Sequence, residues 1–234
     1  MIVLALETCS PAGGVALLDA READAERFLG AQTITSARAH SRMILPAVET
    51  LLAESGLTIE DVDVVAASAG PGTFTGVRVG LTLAKAFCEP GRPRLVLVST
   101  LEALAHRACP EAEGTVVVPL LNARRGEVYG AFFRRTKGGL ERLCGDFCAS
   151  PEDALARWPE GPAAITGEGA LQYRETWLGA GINIRLAPAD RRQCAPESVA
   201  LLGLARARAG FFEDPAGAAP AYLRGASINP PRDS

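Results

Sequence analysis

The sequence has few lysines and histidines and no C-x-x-C cysteine pair, and each shortage argues against one kind of site. Its lysines are Lys85 and Lys137, and neither completes the Gly-Lys-Ser or Gly-Lys-Thr ending of a Walker phosphate loop. It has two histidines, His40 and His106, and six cysteines without a C-x-x-C pair. We therefore expect no zinc site and no other metal centre.

Long apolar runs, a basic leader and a strong excess of one charge are also absent. The first ten residues are apolar but include Glu7, so they predict a first strand rather than a signal peptide. No stretch approaches the length of a membrane span. The net charge of −3 gives no general attraction to nucleic acid or to anionic membranes. We expect a soluble, cytoplasmic chain whose cysteines stay reduced.

The most informative segment present is glycine-rich, SAGPGTFTGVRVGLTLAKAF, at residues 68–87. An apolar strand is predicted just before this segment, at 62–67, and a helix is predicted over its second half, at 77–88. Thr73 or Thr75 can cap this helix through its hydroxyl. A dinucleotide-binding frame that starts at Gly70 meets Thr75 where its third glycine should stand. A structural turn and a nucleotide-binding loop both remain open from these residues alone.

The pattern of strands and helices restarts halfway along the chain. The first half predicts strands at 2–6 and 15–18 and within 26–34, a helix at 40–55, and then alternating strands and helices. The second half opens with strands at 115–121 and 128–134 around a turn at 122–126, continues with helices at 151–158 and 172–178, and ends with a helix at 196–209. This order predicts an α/β fold with two mixed sheets. We predict domains at 1–109 and 110–195, followed by a helix and tail at 196–234.

Several motifs together carry a resemblance to a known family. They are the opening MIVLALETCS, the glycine-rich segment, LLNARRGEVYGAFF, TGEGA and PAYLRG. They resemble the bacterial TsaB (YeaZ) family, within the actin, sugar-kinase and Hsp70 superfamily, over nearly the whole chain. The resemblance implies a two-domain, actin-like ATPase (ribonuclease H-like) fold with duplicated mixed sheets and a degenerate nucleotide site. It also implies that the last long helix returns to the first domain.

The resemblance further implies a role beside an enzyme rather than as one. TsaB proteins support TsaD, which transfers a threonylcarbamoyl group to the adenosine next to the anticodon of tRNAs that read A-starting codons. The implied partners are TsaD through a helical bundle, TsaE within the complex and tRNA through the complex, with a homodimer when TsaD is absent. TsaD holds its metal with two histidines on one helix, whereas the comparable helix here has His40 and, four residues on, Ile44. We expect no catalytic residue.

The resemblance also identifies the residues that a nucleotide would need. Glu7 stands where the superfamily has its first phosphate-loop carboxylate, and Asn122 stands where a second acidic residue is usual. Gly167 and Gly169 are weak candidates for cofactor binding beside Glu7. We expect no cofactor. The alternative functions are a stand-alone nucleotide-binding regulator and a small-molecule kinase or peptidase-like enzyme.

The remaining candidate site is a surface on the helices at 40–55 and 77–88. Gly76, Gly80 and Ala84 recur at four-residue spacing, a pattern that lets a second helix approach closely. We predict that these two helices pack against a partner. The predicted interface residues are Leu45, Val48, Leu52, Val77, Arg78, Leu81, Ala84 and Lys85.

Overall fold

The computed structural model describes residues 1–22, 25–35, 40–88 and 93–223, with the side chain of His40 excepted. Its first sheet has five strands: β1 (Ile2–Glu7), β2 (Gly13–Asp19), β3 (Arg27–Ile34), β4 (Val64–Ser68) and β5 (Arg94–Val98). They lie in the order β3-β2-β1-β4-β5. The first three strands are antiparallel, whereas β4 is parallel to both β1 and β5. The helices of this half are α1 (His40–Glu54), α2 (Phe74–Cys88) and α3 (Thr100–Ala108).

The second sheet repeats the arrangement of the first. Its strands are β6 (Val116–Arg124), β7 (Glu127–Gly130), β8 (Phe133–Thr136), β9 (Gly139–Arg142), β10 (Phe147–Ala149), β11 (Ala163–Thr166) and β12 (Ile184–Leu186). Strand β6 pairs antiparallel with β7 and β8 on one side and parallel with β11 on the other. Strand β12 extends the parallel side. Two sheets that share this mixed order confirm the predicted duplicated, actin-like α/β fold.

Four more α-helices lie in the described part of the chain: α4 (Pro151–Leu155), α5 (Glu168–Gln172), α6 (Arg174–Leu178) and α7 (Pro196–Arg208). The predicted strand at 128–134 is wrong, because it divides into β7 and β8 around the buried Ala131 and Phe132. The helix predicted at 172–178 corresponds to α6, which begins two residues later, at Arg174. Helix α5, which ends just before Tyr173, was not predicted. The turn predicted at 122–126 is shorter, because β6 continues to Arg124. None of the helices in the described ranges has the length and hydropathy of a membrane span.

The two faces of the first sheet bury different side chains. Alternate residues of a strand point to opposite faces, and β1 places Leu4 and Leu6 in a core shared with α1 and α2. Its intervening residues, Val3 and Ala5, lie in a second core shared with α7. Helices α1 and α2 therefore cover one face of the sheet, and α7 covers the other.

Helix α7 returns to the first sheet, as the resemblance implied. A Cβ added at Gly203 would lie 2.3 Å from the Cβ of Ala66 on β4, so only glycine allows this approach. After the helix, the backbone N–H of Glu213 donates to the carbonyl of Leu95, and that of Ala221 donates to the carbonyl of Ala69. The chain thus stays against the first domain up to residue 223. Residues 224–234, within the predicted tail, lie outside the described part, and the predicted domain boundaries stay predictions.

Helix α3 lies between the two halves. It packs on β6 of the second sheet through Leu101 and Leu104 and also contacts α7. Its Glu102 forms ion pairs with Arg206 of α7 at 2.6 Å and with Arg142 of β9 at 3.6 Å. One carboxylate therefore joins the first domain, the returning helix and the second domain.

The second domain depends on one large aromatic side chain. Trp177 is fully buried, and its indole N–H donates to the carbonyl of Gly169 at 3.2 Å. We expect Trp177→Ala to lower the free energy of unfolding by about 3–5 kcal/mol, because it leaves a large cavity. The adjacent Leu178 is 42% exposed, so Leu178→Ala is the control. It should change the free energy of unfolding by less than about 1 kcal/mol. Chemical denaturation followed by circular dichroism measures both, and equal losses would contradict the expectation.

Candidate functional site

Glu7 ends β1 and is fully buried under the turn that connects β1 to β2. Its Oε1 accepts the backbone N–H groups of Cys9 at 2.9 Å and Ser10 at 3.1 Å, and its Oε2 accepts the hydroxyl of Ser10 at 2.6 Å. A buried carboxylate is tolerated when hydrogen bonds replace its lost hydration. The Glu7 carboxylate therefore stabilises the chain's own turn.

The glycine-rich segment packs on the same turn. Thr73 caps α2, since its hydroxyl accepts the N–H of Gly76 at 3.2 Å, and helix α2 therefore begins at Phe74 rather than at 77. The hydroxyl of Thr8 donates to the carbonyl of Gly76 at 2.7 Å. A Cβ at Gly76 would lie 1.9 Å from the Thr8 carbonyl oxygen, and one at Gly80 would lie 2.2 Å from the Thr8 hydroxyl. The capping prediction for Thr73 is confirmed.

These contacts correct the interpretation of the small residues on α2. We predicted that Gly76, Gly80 and Ala84 lie open to a partner helix. Instead, Thr8 occupies the space beside the two glycines, and Ala84 is fully buried in the core under α2. That prediction is wrong, because the four-residue spacing serves an intramolecular contact.

A cavity of about 220 Å³ lies between the two domains. The first domain contributes Ser10, Pro11, Ala12 and Leu104; the second contributes Leu121, Glu168 and Leu171; and the segment before α7 contributes Ala189, Arg192, Gln193 and Cys194. Oε1 of Glu168 accepts the backbone N–H of Asn122 at 3.3 Å. Burial raises the pKa of the Glu168 carboxyl, although this hydrogen bond and the Arg124 charge act in the opposite direction.

Gly167 and Gly169 lie beside this cavity but face the chain's own backbone. Gly167 has φ 95°, and a Cβ there would lie 2.2 Å from the carbonyl oxygen of Leu120. A Cβ at Gly169 would lie 3.0 Å from the same oxygen. Both glycines thus allow the start of α5 to pack on β6. This contact explains the two glycines without a bound cofactor.

A magnesium nucleotide does not fit the residues between the domains. Both oxygens of Glu7 bind the β1–β2 turn. The Oδ1 of Asn122 accepts the backbone N–H of Arg124 at 2.8 Å, and an amide supplies no charge to a cation. The cavity is also smaller than the range of about 300–1,000 Å³ that is typical of ligand pockets. Among the described residues, no group of three or more His, Cys, Asp and Glu side chains is placed to hold a metal.

Two buried thiols lie near the cavity. Burial, reinforced by the charge of Glu7, raises the pKa of the Cys9 thiol to about 12. The same two causes raise the pKa of Cys194 well above its usual value. His106 is half-buried on α3, with Nδ1 3.4 Å from the hydroxyl of Ser198, and burial lowers its pKa. The side chain of His40 lies outside the described residues, and Ile44, four positions on, is buried.

The predicted interface residues fall into two groups. Leu45 and Arg78 are exposed, and Lys85 is half-buried. The other five side chains are buried within the first domain: Val48, Leu52, Val77, Leu81 and Ala84. These five cannot contact a partner without leaving the core, whereas a partner role for the first three stays a prediction.

The sequence analysis missed an exposed aromatic stack at the start of α2. The rings of Phe74 and Tyr222 stack with centroids 5.8 Å apart. The guanidinium of Arg78 lies 3.8 Å from the centre of the Phe74 ring and donates to the Tyr222 hydroxyl at 2.9 Å. Phe74 is 51% exposed and Tyr222 48%. The available signal was that both aromatic residues lie in recognised motifs, TFTG and PAYLRG.

Comparison with known proteins yields relatives along most of the chain. The family described as "TsaD: tRNA N6-adenosine threonylcarbamoyltransferase" matches residues 24–186. The "tRNA threonylcarbamoyladenosine biosynthesis protein TsaB" of Haemophilus influenzae is 32% identical over 188 residues, which cover 75% of each chain. The protein of that name in Escherichia coli K12 is 34% identical over 140 residues, or 60% of this chain and 58% of the relative. The match to the E. coli protein thus spans less than two thirds of its length.

Solved structures give the same relationship. A Pseudomonas aeruginosa structure described as an uncharacterized protein with similarity to peptidase YeaZ superposes with a TM-score of 0.80. It is 26% identical and covers 95% of this chain and 99% of its own. A second structure, "YeaZ from Pseudomonas aeruginosa", gives a TM-score of 0.77 at 27% identity, over 95% of this chain and 99% of its own.

The close contact between α2 and the β1–β2 turn yields a stability test. We expect Gly76→Ala to destabilise the fold by about 1–3 kcal/mol, because the new methyl group meets a backbone oxygen that has no room to move. Gly138→Ala is the control, since a Cβ there meets nothing within 4 Å. Thermal unfolding should show a melting temperature several degrees lower for the first variant alone. An unchanged melting temperature for Gly76→Ala would refute the described packing.

The buried thiols yield a reactivity test. Only a thiolate reacts rapidly with iodoacetamide, so Cys9, with a pKa of about 12, should resist alkylation in the folded chain near pH 8. Buried Cys194 should also resist alkylation. Cys144, which is only half-buried, provides the labelling rate for comparison. Peptide mapping by mass spectrometry, before and after unfolding in guanidinium chloride, measures each site. Labelling of native Cys9 as fast as that of Cys144 would contradict this arrangement.

Proposed function

Because the chain belongs to the TsaB (YeaZ) family, we propose that it acts in tRNA threonylcarbamoyladenosine biosynthesis as a non-catalytic partner of TsaD. In this role it binds TsaD through the first domain, works in a complex that includes TsaE, and meets tRNA through that complex. It forms a homodimer when TsaD is absent. The reaction itself belongs to TsaD. The names of the relatives support the pathway, and the arrangement of Glu7 supports the absence of catalysis.

The observation that carries this proposal is that the Glu7 carboxylate is buried and hydrogen-bonded within its own chain. An actin-like phosphotransfer enzyme needs acidic side chains directed at magnesium and phosphate. Here the carboxylate accepts three hydrogen bonds from Cys9 and Ser10 and is fully buried. The carboxylate therefore stabilises the β1–β2 turn. This disposition favours a binding subunit over a kinase.

The exposed face of α1 and α2 is the surface that we assign to TsaD. Met43, Leu45 and Phe74 are large apolar side chains that are each about half exposed. Arg78 adds a charge at the same end of α2 as Phe74, and half-buried Lys85 lies two to three turns further along the helix. Apolar anchors with charged residues around them are typical of protein interfaces. TsaD would cover these side chains with its own matching helices.

A partner bound to this surface can act on TsaD without touching its chemistry. Binding energy gained in only one arrangement of the TsaD domains shifts the population towards that arrangement. It also stabilises TsaD against unfolding. The proposed mechanism is therefore stabilisation and positioning of TsaD.

Leu45→Glu tests the surface directly. A buried, unpaired carboxylate should weaken binding to purified TsaD at least about tenfold, or about 1.4 kcal/mol. Leu178→Glu is the matched control, because Leu45 and Leu178 are both 42% exposed leucines on helices. Isothermal titration calorimetry gives the affinities. Leu81→Glu would be a poor choice, since Leu81 lies in the core and its loss would unfold the domain. Equal affinities for the two variants would remove this surface from the proposal.

Reconstitution tests the function itself. TsaD, TsaE, threonylcarbamoyl-adenylate and unmodified tRNA are combined with and without this chain, and the modified adenosine is measured by mass spectrometry. We expect modification to require the chain and to fall with Leu45→Glu but not with Leu178→Glu. Modification that proceeds equally without the chain would overturn the proposed role.

A further inference from the structure

The cavity between the domains combines an apolar floor with two opposite charges. Leu104, Leu121 and Cys194 are almost fully buried and form the floor. The thiol of Cys194 is neutral at ordinary pH because burial raises its pKa, so it behaves as a small apolar group. Glu168 and Arg192 are the charged residues in the lining.

Each charged side chain is held by one hydrogen bond and has further polar atoms that remain available to a ligand. Oε1 of Glu168 accepts from the Asn122 N–H at 3.3 Å, and Nε of Arg192 donates to the carbonyl of Ala187 at 2.6 Å. Within the described residues, Oε2 of Glu168 and the Nη groups of Arg192 make no hydrogen bond, and the two side chains form no ion pair with each other. Two fixed opposite charges thus line one cavity without neutralising each other.

The size of the cavity limits the ligand. Its volume of about 220 Å³ lies below the range of about 300–1,000 Å³ that is typical of pockets for drug-sized ligands. A nucleoside triphosphate is far larger, and the Glu168 carboxylate would repel its phosphates. A ligand of suitable size needs a cationic group for Glu168, an anionic group for Arg192 and an apolar body for the floor.

We propose that this cavity binds a small zwitterion of the α-amino acid class. The ligand's ammonium group donates to Oε2 of Glu168, and its carboxylate accepts from the Nη groups of Arg192. Its side chain packs on Leu104 and Leu121. Because the lining comes from both domains, the bound ligand holds them in the arrangement described here. This site is distinct from the surface assigned to TsaD, since none of the residues that line the cavity belongs to α1 or α2.

The test uses the isolated full-length chain and three probes. L-Valine has both charges, N-acetyl-L-valine lacks the ammonium, and isobutylamine lacks the carboxylate. We expect saturable binding of L-valine by calorimetry and a rise in melting temperature that grows with its concentration. The two truncated probes should bind at least tenfold more weakly. Similar affinities for all three probes, or no saturable binding of L-valine, would overturn the proposal.

Glu168→Gln separates binding from folding. The new side chain keeps an oxygen for the Asn122 N–H but loses the charge, so the chain should fold normally and bind L-valine at least tenfold more weakly. Glu175→Gln, at an exposed position on α6 outside the cavity lining, is the matched control and should bind as the unchanged chain does. Undiminished binding by Glu168→Gln, or displacement of L-valine by ATP, would show that the cavity does not recognise a zwitterion. Neither result depends on TsaD, so this test and the reconstitution can fail independently.

Discussion

The structure of the first domain depends on the buried carboxylate of Glu7. Placing a charge in a protein interior costs several kcal/mol unless hydrogen bonds replace its hydration, and the β1–β2 turn supplies those bonds to Glu7. The turn is thereby fixed, and it sets the positions of Thr8 and Cys9. Helix α2 can then approach only where its residues have no Cβ, which is why Gly76 and Gly80 face Thr8. An acidic position that serves phosphate chemistry in related folds has here become a structural element.

Local signals in the sequence were sufficient for most of the architecture. The restart of the strand pattern after residue 110 predicted two mixed sheets, and the helices predicted at 40–55 and 196–209 match α1 and α7 to within two residues. The second half was harder. The strand predicted at 128–134 is interrupted by packing around Phe132, and α5, which ends just before the partly buried Tyr173, was not predicted. Nothing in the local sequence marks such interruptions.

The predicted surface was less accurate, for a physical reason. A stripe of small residues shows that something approaches α2 closely, but it does not show whether that neighbour is another protein or a turn 68 residues earlier in the same chain. Burial raises the same ambiguity, since an apolar position on a helix suits a core and an interface equally well. Val48 and Leu81 belong to the core, whereas Leu45 is exposed. Only the full set of long-range contacts separates these cases, and the Phe74–Tyr222 stack, which joins residues 148 positions apart, is of the same kind.

The segment after α7 has a consequence for the first sheet as a whole. Strand β5 ends that sheet, and the N–H of Glu213 bonds to the carbonyl of Leu95 on its outer side. Unpaired strand edges are templates on which other chains add strands and aggregate. The segment around Glu213 therefore shields part of this edge. Cleavage after Ala209 would leave α1 to α7 in place but would expose the outer N–H and C=O groups of β5 for pairing with a strand of another molecule.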